Sequence, residues 1–423
     1  MGTGGIGIVR VSGPDAKHIA LGILGRRPKP RTAEYISFRD GQNEAIDSGI
    51  ALFFDGPNSY TGEDVLELHG HGGVVVQQLV CQRVQELGAR IAEPGEFTQR
   101  AYLNNRIDLA QAEAVADLIN ASSAEAAKAS SRSLSGLFSK EVHALDRNIL
   151  KVRMYVEAAI DFADEDVDFL SDEALQQRVE ETRTQLDSLL TRTRDGAVLN
   201  QGLTVVIAGA PNVGKSSLLN ALLNEDRAIV TEVAGTTRDT LSEKIHILGM
   251  PVRLIDTAGL HESEDRIEGE GIARAQSAMQ QADLILWVTE DGANQRPTEL
   301  PTRHLMVLNK CDLTHNSPGL VDGSTVRISA LQKFGLNELR NLVATVAGHR
   351  ASDDAFAGRP RHIFALETVG HHLQKVEEFL ASSTGELVAE ELRQAHQHLG
   401  EIVGETSTED LLGEIFSNFC IGK

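Results

Sequence analysis

The sequence predicts a multidomain protein with an α+β N-terminal domain, an all-α domain and an α/β domain built on a parallel sheet. Three observations predict this architecture. Short apolar runs alternate with two helical patterns before Glu96, and helical spacing dominates from Thr98 to about Leu199. Strand-like runs then alternate with helical segments from Gly202 to about Gly348. A length of 423 residues leaves room for two or three such domains.

The N-terminal part consists of short predicted strands and two predicted helices separated by turn residues, as expected of an α+β domain. Glu67, His69 and His71 alternate in an extended segment, but a third well-spaced metal ligand is missing from the pattern, so Gly70 to Gly73 is interpreted as a glycine-rich helix start. The predicted strands are Ile6–Val11, Gly49–Phe54, Val65–Leu68 and Arg90–Ile91, and the predicted helices are Asp15–Leu24 and Val74–Leu87.

Two stretches have the composition and spacing of packed helices, Thr98 to Leu199 and Arg361 to Ser417. If the α/β domain is an insertion, these two sections pack together as one domain. An acidic cluster lies near the end of the first section, but it lacks the central glycine and the terminal glutamate of a calcium-binding loop, so a solvated loop is expected. Its members are Asp161, Asp164, Glu165, Asp166 and Asp168.

The α/β domain opens with a glycine-rich loop, Gly209 to Ser216, between a strand-like run and a helical pattern. In such a loop the backbone N–H groups converge on phosphates, Lys215 reaches the β- and γ-phosphates, and the Ser216 hydroxyl serves Mg²⁺. The strand–loop–helix context therefore predicts a nucleotide site. The predicted strands of this domain are Leu203–Ile207, Val252–Ile255, Leu284–Val288, Leu305–Leu308 and Val326–Ser329, and the helix after the loop is Ser217–Leu223.

Further motifs follow the loop in the order and at the strand ends typical of a Ras-like GTPase. They are Gly235 to Asp239, Asp256 to Gly259, Asn309 to Asp312, and Ser329-Ala330. The Asp312 carboxylate can accept from guanine N1–H and from the exocyclic amine together, which adenine cannot offer, so GTP is the predicted substrate.

Two switch positions and one departure complete the GTPase pattern. Thr237 can complete the Mg²⁺ shell, while Asp256 and Gly259 stand where a second switch senses the γ-phosphate. Leu260 occupies the position where many small GTPases carry a water-orienting glutamine, so water must be positioned otherwise. Several acids follow in 261–268, and residue chemistry alone leaves them equivalent.

Composition limits the setting and the partners. The formal net charge is −21, which argues against strong autonomous binding to nucleic acid, so any RNA contact is local or comes through a partner. Cys81, Cys311 and Cys420 show no disulfide or zinc spacing. No apolar run is long enough to span a membrane and none resembles a signal peptide, so a soluble, cytoplasmic protein without membrane contact is expected.

The segments Gly56 to Asp64, Pro94 to Ala101 and Phe419 to Lys423, taken with the GTPase motifs, resemble the MnmE family, also called TrmE, of tRNA-modifying GTPases. The likeness covers essentially the whole chain, although typical members have further residues ahead of Gly4 that form a first strand. The resemblance implies an N-terminal folate-binding domain and a helical domain into which a Ras-like P-loop GTPase domain is inserted. The implied boundaries are 1–105 for the folate-binding domain, 106–200 and 361–423 for the helical domain, and 202–350 for the GTPase domain.

The resemblance also implies an activity. Members hydrolyse GTP in a K⁺-dependent way, act as homodimers, and form a heterotetramer with an FAD- and NADH-using partner protein. Together they modify C5 of the wobble uridine of certain tRNAs with an aminomethyl or carboxymethylaminomethyl group, using a one-carbon unit from methylene- or formyl-tetrahydrofolate. The alternative is a GTP-operated binding switch in ribosome assembly, which predicts a basic RNA-binding module after the GTPase domain, whereas Arg361 to Lys423 has mixed charge.

Site residues are carried over by matching positions. Glu268 matches the acid that orients the attacking water, and Cys420 is a candidate nucleophile that would need a nearby cation such as Lys423. The implied folate ligands are Arg10, Glu67, Arg106, which replaces the more frequent lysine, and Lys423; those of K⁺ are Asn212, Thr231, Val233 and Thr236. The implied GTP site comprises Asn212, Val213, Gly214, Lys215, Ser216, Ser217, Thr231, Glu232, Val233, Ala234, Gly235, Thr236, Thr237, Asp256, Thr257, Ala258, Gly259, Asn309, Lys310, Asp312, Ser329 and Ala330.

Overall fold

The chain divides into two compact units in a computed structural model. One unit is Met1–Ala116 with Gly400–Lys423, and the other is Asp117–Leu399. The structure describes residues 4–161, 173–226, 242–256, 277–293, 303–348, 354–382, 384–405, 409–417, 419 and 422.

The first unit contains a four-stranded antiparallel sheet with the order β1-β4-β3-β2. Apolar residues alternate along its strands, so one face packs Val9, Leu66 and Leu68 against Ile19 and Val80 of two helices. The α+β prediction is therefore confirmed. Its elements are β1 (Gly4–Ser12), α1 (Ala16–Leu24), β2 (Glu34–Arg39), β3 (Ala45–Phe54), β4 (Val65–Gly72), α2 (Val74–Glu86), α3 (Glu96–Leu103) and α4 (Leu109–Asn120).

Two assignments in this unit differ from the sequence interpretation. Arg90–Ile91 is not a strand: the Arg90 guanidinium bonds the carboxylate of Glu96 at 2.8 Å, so this irregular segment leads into α3. Strand β2 was not predicted, because it lies at the sheet edge and among its side chains Phe38 alone is fully buried, which leaves a weak apolar signal. The glycine-rich helix start is confirmed only at Gly73, the N-cap of α2, because Gly70 to Gly72 belong to β4.

The second unit begins with three helices and continues into a seven-stranded sheet with the order β10-β11-β9-β8-β5-β7-β6. The elements are α5 (Ala124–Leu134), α6 (Leu137–Asp161), α7 (Glu173–Gln201), β5 (Leu203–Gly209), α8 (Lys215–Asp226), β6 (Ser242–Ile247), β7 (Met250–Asp256), β8 (Leu284–Glu290), β9 (His304–Asn309), α9 (Cys311–Thr314), β10 (Gly319–Asp322), β11 (Thr325–Arg327) and α10 (Leu336–Val346).

The centre of this sheet is parallel, as predicted. Strands β7, β5, β8, β9 and β11 pair in parallel, which brings their carboxyl ends to one edge. The two outermost strands, β6 and β10, are antiparallel and were not predicted. Strand β6 alternates polar and apolar residues, and β10 has four residues that are mostly exposed, so neither has the continuous buried apolar run of a central parallel strand.

The chain then returns to helices α11 (Pro360–Ala381), α12 (Gly385–Val403) and α13 (Glu409–Ser417). Helix α7 packs closely against the segment that leads into α11: a Cβ added at Gly196 would lie 1.5 Å from the carbonyl oxygen of Phe356. Arg183 of α7 also pairs with Glu377 of α11 at 2.6 Å. The helical sections before and after the α/β domain therefore pack together, as an inserted domain requires.

Two further expectations concern the acidic cluster and the membrane. Asp161 ends α6, and the other four acids lie outside the described residues. Across the described helices, none combines the length and the apolar character needed to cross a membrane.

Glu96 anchors α3 through several donors. Its carboxylate accepts from Arg90, from the Arg100 guanidinium at 2.7 Å and from the Glu93 backbone N–H at 2.8 Å. The hydrogen bond from Arg90 is the largest influence, and together with the other donors it outweighs burial and lowers the pKa of Glu96 to about 2.

This network predicts an acid-dependent loss of stability. Because the pKa of Glu96 is depressed in the folded state, its stabilisation is present above the unfolded value near 4.5 and is lost as pH falls towards about 2. We expect Glu96→Gln to lower the free energy of unfolding at neutral pH and to flatten its decline across this acid range, measured by urea unfolding at several pH values. Glu390→Gln is the control, since its exposed pair with Arg393 is screened by water. Equal slopes for Glu96→Gln and wild type would contradict the assignment.

Candidate functional site

The candidate nucleotide site lies at the carboxyl edge of the parallel sheet in the second unit. The loop between β5 and α8 makes two close approaches that exclude a side chain. A Cβ at Gly209 would lie 2.2 Å from the Val288 carbonyl oxygen, and one at Gly214, where φ is +97°, would lie 2.3 Å from Asn309 Nδ2. Both glycines are therefore required by neighbouring strands as well as by a phosphate ligand.

Lys215, the first residue of α8, turns its ammonium group back into the loop. Its Nζ donates to the carbonyl oxygens of Gly209 and Ala210, at 3.0 and 2.9 Å. Burial lowers the pKa of Lys215, and the nearby negative charge of Asp256 opposes that shift. A partly desolvated cation held by neutral carbonyls is well placed to exchange them for phosphate oxygens.

Ser216 and Asp256 bring two oxygen donors together at the same edge. The Ser216 hydroxyl donates to Asp256 Oδ2 at 3.2 Å, and Asp256, which ends β7, is buried. A hydroxyl beside a carboxylate is the all-oxygen donor set that Mg²⁺ prefers in nucleotide sites. These residues therefore fit a magnesium ion.

Asn309 links the three loops around the candidate base pocket. Its Nδ2 donates to the Val213 carbonyl at 2.9 Å, and its Oδ1 accepts from the Ala330 N–H at 3.0 Å. Lys310 follows with φ +65°, and its Nζ donates to the Asn212 carbonyl at 2.8 Å. The phosphate loop, the Asn309 to Asp312 segment and Ser329-Ala330 are thus brought together.

Many of the predicted site residues lie outside the part of the chain that the structure describes. Leu260 and the acids of 261–268 lie outside the described residues, as do the first switch, the second switch beyond Asp256 and most of the chain's last four positions. The predicted site residues in this group are Thr231, Glu232, Val233, Ala234, Gly235, Thr236, Thr237, Thr257, Ala258, Gly259, Glu268, Cys420 and Lys423.

A second constellation lies in the first unit, on the sheet face opposite α1 and α2. Arg10 and Glu67 are directly paired in register on β1 and β4, and Arg10 Nε donates to Glu67 Oε1 at 2.8 Å. The Arg10 guanidinium lies 5.6 Å from the ring centres of both Tyr60 and Phe97. Burial opposes ionisation of Glu67, but the His69 hydrogen bond and the Arg10 charge hold its pKa below the ordinary value.

A cavity of about 440 Å³ borders this constellation. Its lining includes Arg10, Phe97 and Arg100 but neither Glu67 nor Tyr60. Core side chains such as Val11 and Ile19 supply much of the rest, and Gly422, next to Lys423 in the sequence, also borders it. Arg106 lies elsewhere, with its side-chain stem 3.4 Å from the position that a Cβ on Gly62 would take. The structure therefore brings Arg10 and Glu67 together and places Arg106 beside the loop that carries Tyr60.

The two histidines of β4 bind separate carboxylates. His69 Nε2 lies 3.0 Å from Glu67, whereas His71 Nδ1 lies 2.7 Å from Asp47. Among the residues that the structure describes, no three His, Cys, Asp or Glu side chains form a group suited to a metal ion.

Sequence reasoning missed Glu290, the last residue of β8, and Asp291, which follows it at the same sheet edge. Glu290 pairs with Lys310, and Asp291 accepts hydrogen bonds from Asn316 and Arg327. The sequence could have indicated them, because acidic residues at the carboxyl end of a predicted parallel strand are expected to lie beside the motifs at the ends of the neighbouring strands. They were overlooked because they belong to none of the GTPase motifs.

Comparison with known proteins identifies both parts of the chain. Residues 109–420 match the family described as the MnmE helical domain, and residues 1–106 match the family described as the GTP-binding protein TrmE N-terminus. The tRNA modification GTPase MnmE of Pseudomonas paraeruginosa is 50% identical over the whole chain and 97% of its own length. The protein of the same description from Proteus mirabilis is 47% identical with the same coverage.

Among solved structures, the G domain of the T. maritima FeoB iron transporter covers 34% of this chain and 98% of its own. Its sequence identity is 26% and its TM-score is 0.25, a score too low to support any conclusion. The two family matches and the full-length relatives identify the family of this chain. They favour a tRNA modification GTPase over a GTPase of ribosome assembly. The chain belongs to the MnmE (TrmE) family of tRNA modification GTPases.

Proposed function

We propose that this chain is a K⁺-dependent GTP hydrolase that, with an FAD- and NADH-dependent partner protein, modifies C5 of wobble uridine in certain tRNAs. The observation that carries the GTPase part is the junction at Asn309, which fastens the phosphate loop to both base-binding segments. Full-length similarity to tRNA modification GTPases supports the tRNA substrate and, with it, a cytoplasmic location.

Among the described residues, one group is proposed to bind the phosphates and another to bind Mg²⁺. Lys215 exchanges its two carbonyl partners for β- and γ-phosphate oxygens, and the backbone N–H groups of the loop bind the same phosphates. Ser216 and Asp256 would hold Mg²⁺, which when bound neutralises charge on the phosphates. The first residues of α8 thus orient the γ-phosphate for attack by water.

Asp312 is proposed to recognise guanine, because a carboxylate at this position accepts from N1–H and the exocyclic amine together. We expect Asp312→Asn to lower kcat/KM for GTP by about 100-fold and to raise it for XTP, since an amide can donate to the xanthine C2 carbonyl. Steady-state hydrolysis of both nucleotides measures this. Asp322→Asn, in the β10–β11 turn, is the control. A variant that still prefers GTP would contradict the assignment.

A potassium ion beside the phosphates is proposed to offset charge that develops during phosphoryl transfer. Asn212, which adopts φ +64° within the phosphate loop, is the described candidate ligand, with Thr231, Val233 and Thr236 as the others. Glu268 is proposed to orient the attacking water when two GTPase domains meet, which would compensate for Leu260.

These roles predict separable defects. We expect wild type to turn over GTP much faster in K⁺ than in Na⁺, and Asn212→Ala to lose this difference. Glu268→Gln should lower kcat by about 100-fold while KM for GTP changes little, because a water-orienting acid acts on the chemical step. Glu264→Gln, in the same segment, is the matched control. Equal wild-type rates in the two ions would overturn the potassium role, and normal turnover by Glu268→Gln would overturn the water role.

The first unit is proposed to bind a reduced folate, either methylene- or formyl-tetrahydrofolate, as the one-carbon source. A pterin ring presents an amide and amino edge that suits the Glu67 carboxylate, and Arg10 suits the acidic tail. The cavity of about 440 Å³ is within the usual size of ligand pockets. Arg106 and Lys423 are the other proposed ligands, and Cys420 is the proposed nucleophile of the modification chemistry.

Folate binding is tested with formyl-tetrahydrofolate by calorimetry. We expect Arg10→Ala and Glu67→Gln each to weaken binding by about tenfold or more, because each leaves its partner and a ligand group without a charged contact. Arg27→Ala, which removes an ion pair with Asp55 elsewhere in the unit, should bind as wild type. If wild type does not bind, the folate assignment fails without affecting the GTPase proposal.

A homodimer is part of the proposal. The sheet face that carries Arg10 also exposes Ile6, Ile8 and Ile50, at 74%, 53% and 41% of their surface. A group of exposed aliphatic side chains on one face is typical of an interaction surface.

A further inference from the structure

Asp291 follows β8 directly, at the carboxyl edge of the parallel sheet. It lies beside the segment that begins at Asn309 and is proposed to recognise the base. Its backbone N–H donates to the Asn309 carbonyl at 2.8 Å. Its side chain is only 3% exposed. A carboxylate buried this deeply requires several donors, because removal from water is otherwise unfavourable.

Three side chains supply those donors. Thr314 Oγ1 and Asn316 Nδ2 donate to Oδ2, the latter at 2.7 Å, and Arg327 Nε donates to Oδ1 at 3.0 Å. Burial opposes ionisation, yet these hydrogen bonds and the Arg327 charge hold the pKa of Asp291 below its ordinary value. The carboxylate is therefore charged and links two separate chain segments.

Those segments are the two that approach the base. Thr314 ends α9, the single turn that carries Asp312, and Asn316 lies just beyond it. Arg327 ends β11 and stands two residues before Ser329, whose neighbour Ala330 binds Asn309. Asp291 thus joins the back of the Asp312 turn to the strand that delivers Ser329-Ala330.

The Asp312 turn needs such support. Helix α9 has four residues, and left-handed residues flank it, Lys310 with φ +65° and His315 with φ +57°. One turn gains too few hydrogen bonds to hold its own conformation in water. Residues in left-handed conformations add a further cost, which the surrounding contacts must offset.

We propose that Asp291 is a positioning residue for guanine selectivity, which sets where the Asp312 carboxylate stands by holding Thr314, Asn316 and Arg327. This inference rests on the proposed contact between Asp312 and guanine. The hydrogen bonds described for Asp291 run to Asn309 and to the three side chains above, not to the phosphate loop, so Asp291 acts through Asp312. Its loss should therefore alter recognition of the base edge more than the chemical step.

The test compares GTP with ITP, which lacks the exocyclic amine and so reports the second hydrogen bond to Asp312. The full chain is assayed for kcat and KM with both nucleotides, as wild type, Asp291→Ala, Asp291→Asn, Asp312→Asn and Asp322→Ala. We expect Asp291→Ala to reduce the preference for GTP over ITP by about tenfold through KM, with kcat at saturating GTP within about twofold of wild type. Asp291→Asn keeps one acceptor oxygen, so its preference for GTP over ITP should lie between those of Asp291→Ala and wild type.

Asp322→Ala is the matched control, because it removes a carboxylate that caps the β10–β11 turn through the Ser324 N–H. Its GTP preference should equal that of wild type. Thermal unfolding of every variant separates selectivity from stability. If Asp291→Ala does not fold, the pair Thr314→Ala and Asn316→Ala replaces it, with a smaller fall in the GTP preference expected.

An unchanged GTP-over-ITP ratio in the Asp291 variants, or an equal loss of kcat/KM for both nucleotides, overturns the inference. The GTP-over-ITP ratio of Asp312→Asn separates a failure of the proposed guanine contact from a failure of the proposed role of Asp291. If Asp312→Asn also keeps the wild-type ratio, the guanine contact itself is wrong and the inference falls with it. If Asp312→Asn loses the preference and Asp291→Ala does not, the inference alone is wrong.

Discussion

The nucleotide site depends on the two hydrogen bonds of the Asn309 side chain. Its amide donates to the phosphate loop at Val213 and accepts from Ala330, so one buried group joins loops that follow three different strands. A buried amide whose donor and acceptor are both satisfied contributes stability, whereas loss of either partner leaves a costly unpaired group. The spacing between phosphate and base segments is therefore set in the protein itself, before any nucleotide contact is made.

Rigid support behind this junction comes from close backbone packing. Gly209 and Gly214 allow the phosphate loop to approach β8 and Asn309 to distances that exclude a Cβ. On the helical side of the same unit, Gly196 of α7 allows a still closer approach of the chain at Phe356. Since close-packed backbone tolerates little displacement, the inserted α/β domain begins from a helix that is held firmly by the section that follows it.

Paired charges organise the sheet face of the first unit that carries Arg10. The Arg10 guanidinium lies 5.6 Å from two aromatic ring centres and binds Glu67, which His69 also bonds, so both charges are partly desolvated and oriented. At the start of α3 in the same unit, the Glu96 carboxylate accepts hydrogen bonds from Arg90 and Arg100 and so orients both guanidinium groups. Pre-oriented charges of opposite sign beside a cavity suit a ligand that has both a hydrogen-bonding ring edge and an acidic tail.

Local sequence determined the elements with a clear period and the motifs with fixed spacing. The parallel strands, the phosphate loop and the start of α2 were all predicted, because apolar periodicity and glycine positions express local physics. The edge strands β2, β6 and β10 were not, since few or none of their side chains belong to a continuous apolar run.

Tertiary structure alone decided the roles of residues outside motifs. Arg90 is drawn to Glu96 instead of extending a strand, and Asp291 meets Asn316 and Arg327 because three strands end at one edge. Such contacts depend on which chain segments the sheet order brings together. That order follows from the balance of packing across the whole unit, which no short stretch of sequence contains.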